Sequence, residues 1–264
     1  MGTNKKFWQS FMSNEGDKSV AEQGKDPLEQ GLEDLSWFEN SKRIVKNAVK
    51  NAQQTFGEEI GNSVTSGILA LYILTLIPFA SVNAYISVCC NKALNVVAIS
   101  IYLITMFLSL LSGTIYHFIK RNTNQKRVMG KINRIMIYYA IAGVYAPVCL
   151  SIIDGKLGIV LFAVEGALAL AGTLFTALAY PDKGFSKPLC NIIYVVMGWL
   201  GAVAFNRISA GMSTAAFWLL IAGLIVYSVG MFFYTKKFKF SHMIWHFFVL
   251  AAAVCHVIAL IYLA

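Results

Sequence analysis

The sequence predicts an all-α integral membrane protein, a seven-transmembrane helix bundle behind a polar N-terminal arm. Three observations carry this reading. Hydrophobic residues make up 57% of the 264-residue chain and mean hydropathy is +0.62, outside the usual range of soluble domains. Ten of the thirteen acidic residues fall before residue 60, so the remainder is a series of apolar stretches joined by short, mostly basic loops. Seven of those stretches, near 65–86, 93–119, 135–153, 157–180, 189–206, 212–234 and 241–263, approach the length a bilayer core requires. The net charge of +9 therefore speaks of topology and anionic lipid contact, not of nucleic acid.

Residues 1–35 are polar, of mixed charge and poor in aliphatic side chains, which predicts a disordered arm. Over 36–60, Trp37, Ile44, Val45, Ala48, Val49, Ala52, Phe56 and Ile60 recur at helical spacing, with Lys42, Arg43, Lys46 and Lys50 between them. That pattern fits an amphipathic juxtamembrane helix on an anionic membrane face; a soluble helix packed on the inner loops satisfies the same periodicity. The transmembrane domain is expected over 61–264. No cleavable signal peptide is expected, because the first 35 residues lack an apolar core. Lys6 stands where a myristoylation pattern needs Ser or Thr. Pro78 is expected to kink the first segment, and Pro181 and Pro188 bracket the loop between the fourth and fifth. No internal repeat suggests an inverted-repeat transporter. The five cysteines have no metal-ligand spacing and read as small apolar fillers, with a bond at Cys89 or Cys90 left open.

Loop charge sets the orientation. Lys120, Arg121, Lys126, Arg127, Lys131 and Arg134 cluster after the second segment, Lys183 and Lys187 after the fourth, and Lys236, Lys237 and Lys239 after the sixth. The alternate loops hold one basic residue each, Lys92, Lys156 and Arg207. Basic loops stay cytoplasmic, which predicts an N-terminus inside and a C-terminus outside.

His242 and His246 lie four residues apart at the start of the last segment. On a helix that spacing places both imidazoles on one face, with Cβ atoms about 5–6 Å apart, close enough for two ring nitrogens to share an ion at roughly 2.0–2.1 Å. The second segment ends at His117 on the same cytoplasmic side. Three of the chain's four histidines are thus expected at one depth, and three imidazoles make a tripod for Zn2+ that leaves one corner for water. The blander alternative is that all three only mark the headgroup boundary.

SGTIYH at 112–117, SHMIWHFFVLAAAVCH at 241–256, EEIGNS at 58–63, IYYAIAGVYAP at 137–147 and MGWLGA at 197–202 together resemble the hemolysin III family, the bacterial branch of the progestin and adiponectin receptor superfamily. The resemblance runs from about residue 57 to the end. It implies seven helices, a cytoplasmic N-terminus, residence in a bacterial inner membrane, and zinc held by His117, His242 and His246. The superfamily also includes ceramidases, which implies zinc-dependent hydrolysis of a lipid amide through a metal-bound water. Three positions depart from the family pattern. Gly113 replaces a serine four residues before the first histidine, Asn133 replaces an acid, and Ser66 replaces a histidine four residues after Asn62. Ser112 is adjacent to Gly113 but points about 100° further round the helix, and an amide at Asn133 cannot take a proton as a carboxylate does. Ser112 and Asn133 remain candidates for supporting residues.

Glu165 lies some fifteen residues, or about 22 Å, from the cytoplasmic end of its segment, too far to serve the histidines. His256 shares its depth, so a Glu165–His256 pair or a common cavity is expected in the outer half, two separately satisfied groups being the alternative. Tyr116, Tyr234 and Trp245 read as an interfacial belt, and Gly143, Gly166, Gly172 and Gly198 as close-packing positions. Three functions compete: a zinc-dependent lipid amide hydrolase, a non-catalytic lipid sensor or regulator stapled by zinc, and a cytolysin. Membrane lipids and the zinc ion are the expected partners.

Overall fold

Thr55 opens the first crossing by capping it. Its hydroxyl accepts the backbone N–H of Glu58, and the Glu58 carboxylate accepts the Thr55 N–H in return, satisfying two of the donors that a helix start leaves bare. The computed structural model of the protein describes residues 55–87, 91–179, 186–236 and 238–262, together with Glu39. Among these residues every regular element is helical: α1 (Phe56–Ile86), α2 (Lys92–Phe118), α3 (Asn124–Pro147) running on into a π-helical stretch (Val148–Ile153), α4 (Gly155–Ala179), α5 (Ser186–Trp199) followed by a 3-10 turn (Leu200–Ala204), α6 (Phe205–Ala210), α7 (Thr214–Thr235), and α8 (Ser241–Val257) with a terminal π-helical stretch (Ile258–Tyr262). Because α5 and α6 form one crossing, seven spans among the described residues are long and apolar enough to cross a membrane.

Two spans begin earlier than hydropathy predicts. α1 starts at Phe56 and α3 at Asn124. In α1 the opening turns carry polar side chains that turn inward, Glu58, Glu59, Asn62, Ser63 and Ser66 all being buried; in α3 the Thr123 hydroxyl caps the start by accepting the Lys126 N–H. Residues 56–60, assigned by periodicity to the juxtamembrane helix, belong to α1. The expected arm at 1–35, the rest of that helix apart from helical, exposed Glu39, and the Cys89–Cys90 pair lie outside the described residues. α1 continues through Pro78.

Successive crossings pack side by side, and α8 returns against α1. The bundle is therefore a ring in chain order, closed by its first and last crossings. Tyr102, Ile73, Leu103, Tyr138 and Met197 fill its interior at full burial, while Leu71, Phe79, Ile159, Leu174 and Phe232 stay exposed, as a lipid-facing surface requires. Close approach uses small residues. A Cβ on Gly143 would strike the Thr105 hydroxyl, one on Gly172 would lie 2.6 Å from the Tyr138 ring, and one on Gly198 would lie 3.3 Å from Leu224. Gly166 departs from expectation: a Cβ there meets nothing within 4 Å. Cys149 and Cys190 are free, buried thiols and Cys255 is half-buried, consistent with filler.

Candidate metal centre

Four elements deliver the site, all at the end of the bundle where α1 and α8 begin. α2 brings His117 in its last turn, buried at 4% exposure. α8 brings His242 and His246 on one face, both half-buried. The start of α8 is fixed by Phe240, which sits in the left-handed region at φ 66°, a conformation costly for a bulky residue. What holds it there is the Glu58 carboxylate, which accepts the Phe240 N–H at 2.6 Å. One acid of α1 thus anchors α8. The next anchors α2.

That second acid is Glu59. Its Oε2 lies 2.8 Å from His117 Nδ1 and 3.0 Å from Lys126 Nζ, and its Oε1 lies 3.3 Å from Arg121 Nε. A carboxylate only accepts, so Nδ1–H donates and His117 Nε2 is left with a bare lone pair aimed at α8. His117 Nε2 is 3.1 Å from His246 Nε2 and 3.4 Å from His242 Nε2, and the ligand atoms of the three rings all lie within 4.8 Å of one another. Two nitrogens each at about 2.0–2.1 Å from a tetrahedral ion stand roughly 3.3 Å apart. The two spacings from His117 straddle that value. His246 Nδ1 is 3.0 Å from the Ser66 hydroxyl, a partner that can accept Nδ1–H and leave the Nε2 of this ring as a second lone pair. In that tautomer the two lone pairs face one another and repel unless a cation lies between them, an arrangement that fits a metal ion. The carboxylate behind the first histidine is the arrangement that fixes ring orientation at metal sites.

The three departures from the family pattern meet beside this tripod. Ser66 bonds His246, and a Cβ added at Gly113 would lie 3.4 Å from Asn133 Oδ1 and 3.8 Å from the Ser66 hydroxyl. Ser112 does not turn toward the histidines; its hydroxyl lies 2.7 Å from the Ser109 carbonyl and 3.1 Å from Asn133 Oδ1. Asn133 therefore offers a carboxamide oxygen already engaged by Ser112, in place of a free carboxylate. The half-buried aromatic residues expected in an interfacial belt border the histidines. Tyr116 lies edge-on to His117 at 4.8 Å, and Tyr234 lies 5.5 Å from His242 and 5.4 Å from Trp245.

Glu165 and His256 do not pair. Neither Glu165 oxygen has a hydrogen-bond partner, whereas His256 Nε2 lies 3.2 Å from the Leu220 carbonyl and its ring rests against Tyr227. α4 and α8 are not neighbours in the ring. Glu59 was not singled out from sequence, because acids at a helix start read as dipole or cap residues. The available signal was the rarity of acids beyond residue 57: only five remain in the rest of the chain, and two of them stand together here.

Residues 54–257 match the family model described as haemolysin-III related. The chain is 37% identical over 200 residues to a protein of Bacillus subtilis (strain 168) named hemolysin-3 homolog, an alignment covering 75% of this chain and 91% of that protein. It is 34% identical over 197 residues to hemolysin-3 of Bacillus cereus, covering 74% and 87% respectively. Both alignments are long enough to take in most of the seven crossings.

Proposed function

Since the chain belongs to the haemolysin-III-related family, we propose that it is a zinc-binding membrane protein in which one ion ties α2 to α8. His117, His242 and His246 hold the ion. The observation that carries this reading is the convergence of their three Nε2 atoms at spacings of 3.1 and 3.4 Å around the first ring. Imidazole donors alone, three to one ion, suit zinc better than the oxygen-seeking cations. When bound, zinc supplies Lewis acidity and lowers the pKa of a water it ligates to about 7.

The surrounding side chains favour a regulatory or sensing role in the membrane over hydrolysis. Glu59 is committed to His117, Arg121 and Lys126, so it orients a ligand and is not free to shuttle protons. At the position where the family carries an acid, Asn133 receives Ser112 and has no proton affinity to offer. Ser66 steadies His246 and brings no imidazole of its own. The hydrolytic reading keeps one support: three protein ligands leave a corner open. A cytolytic role, suggested by the relatives' names, draws no support from any feature described above. We place the histidine end on the cytoplasmic side of a bacterial inner membrane, because the basic loops Lys120–Arg134 and Lys236–Lys239 gather there.

Metal analysis of the purified full chain tests the ion: about one zinc per chain in the wild type and close to none in His242→Ala, with equal content in both overturning the site. Incubation with a panel of lipid amides tests the chemistry. Wild-type protein is expected to turn over none of them faster than His242→Ala. Restoring the family pattern with Ser66→His, Gly113→Ser and Asn133→Asp together is expected to create measurable turnover. Hydrolysis by the unaltered chain, lost in His242→Ala, would reverse the preference for a non-catalytic role.

A further inference from the structure

The half of the bundle away from the histidines contains a second polar centre, built where the helices are irregular. Glu165 sits near the middle of α4 at 0% exposure, and both of its carboxylate oxygens lack a hydrogen-bond partner. The titratable groups that face it are Tyr145 of α3 and Cys149 of the π-helical stretch. Those of α5, Cys190 and Tyr194, are turned toward Tyr138 instead. Among the described residues no cation pairs with Glu165.

Backbone irregularity gathers around the same point. α3 widens into its π-helical stretch at Val148–Ile153, a distortion that recurs at functional sites. α5 gives way to the 3-10 turn at Leu200–Ala204, and Tyr145 latches that break. Its hydroxyl accepts the Gly201 N–H at 2.7 Å and shares its proton between the carbonyls of Met197 and Gly198, each at 2.9 Å. The far side of the broken turn lines a recess of about 300 Å³ with Leu157 and Arg207, at the end of the bundle opposite the histidines. Broken helices at membrane depth are tolerated where they border a polar cavity or a bound ion.

A bare carboxylate cannot persist among apolar helices without a partner, and the smallest partner that satisfies it is a proton. We propose that Glu165 is a proton-binding site that exchanges with water, set beside the π-helical stretch that follows α3 and near the broken end of α5. The exchange is a simple transfer: hydronium gives its proton to the carboxylate, leaving water and a neutral carboxylic acid, with no electrons gained or lost. The site is separate from the histidine tripod and does not depend on a metal being there.

The test uses the full chain in phospholipid vesicles and dicyclohexylcarbodiimide, a hydrophobic reagent that adds to protonated carboxyls in apolar surroundings and leaves a stable N-acylurea. Peptide mapping is expected to find the adduct on Glu165, with a several-fold loss of yield as the medium is taken from mildly acidic to strongly alkaline. A water-soluble carbodiimide is expected to leave Glu165 unlabelled. Absence of the adduct from Glu165, or a yield that does not move with pH, overturns the proposal. Infrared spectra give a second reading: wild-type protein is expected to show a protonated-carboxyl band that diminishes over the same pH range and is missing in Glu165→Gln. Should that variant fail to fold, the adduct map and the pH response of the wild-type band decide the matter alone.

Discussion

Glu59 is one side chain with three partners, on α2, on α3 and in the loop between them, and what it contributes to the candidate metal centre can be measured. Glu59→Gln keeps an oxygen that can accept His117 Nδ1–H but removes the charge that Arg121 and Lys126 balance. Zinc affinity is expected to fall about 10–100-fold, the usual effect of losing an outer-shell carboxylate, as read by competition with a chromophoric chelator. An unchanged affinity would mean that Glu59 serves only the fold. At this scale the three histidines were legible because i, i+4 spacing and shared depth are properties of the chain itself. Glu59 was not, since its partner is 58 residues away. The same limit explains why Ser66, Gly113 and Asn133 read as three separate departures, when in space they border one small region beside His246.

Between helices, glycine separates positions that composition cannot. Gly172→Ala would place a methyl group 2.6 Å from the Tyr138 ring, and overpacking of this kind costs about 1–3 kcal/mol. Gly166→Ala meets nothing and gains up to about 1 kcal/mol of helix propensity. Thermal unfolding in detergent is expected to move in opposite directions for the two variants; a shared sign would refute the packing assigned to α4. The number and approximate limits of the crossings could be read from hydropathy, because each needs a long apolar run. The break in α5 could not, since LGAVA at 200–204 is as apolar as the turns of α5 that precede it. Its cause lies in a neighbour, where Tyr145 draws the backbone of Met197, Gly198 and Gly201 into its own hydrogen bonds. The early start of α1 escaped for a related reason: its polar turns are stabilised from inside the bundle.

For the molecule as a whole, the proposed ion shared by α2 and α8 would stabilise the native ring against any state in which the two part. Linkage puts this at about 2.7 kcal/mol when free zinc is 100-fold above its dissociation constant. A strong chelator is expected to lower the melting temperature of wild-type protein and to leave that of His246→Ala where it was. Equal responses would show that the metal does not brace the ring. Loop charge and segment count foretold a seven-span bundle, but closure in chain order, with the last crossing against the first, has no signature in any single segment. That closure has a consequence for how the protein is made. Two of the three ligands emerge with the final crossing, and the α1 acid that steadies Phe240 has nothing to grip until then. On the proposed function, a polypeptide cut short before Ser241 keeps His117 but lacks His242 and His246, and so cannot acquire the ion.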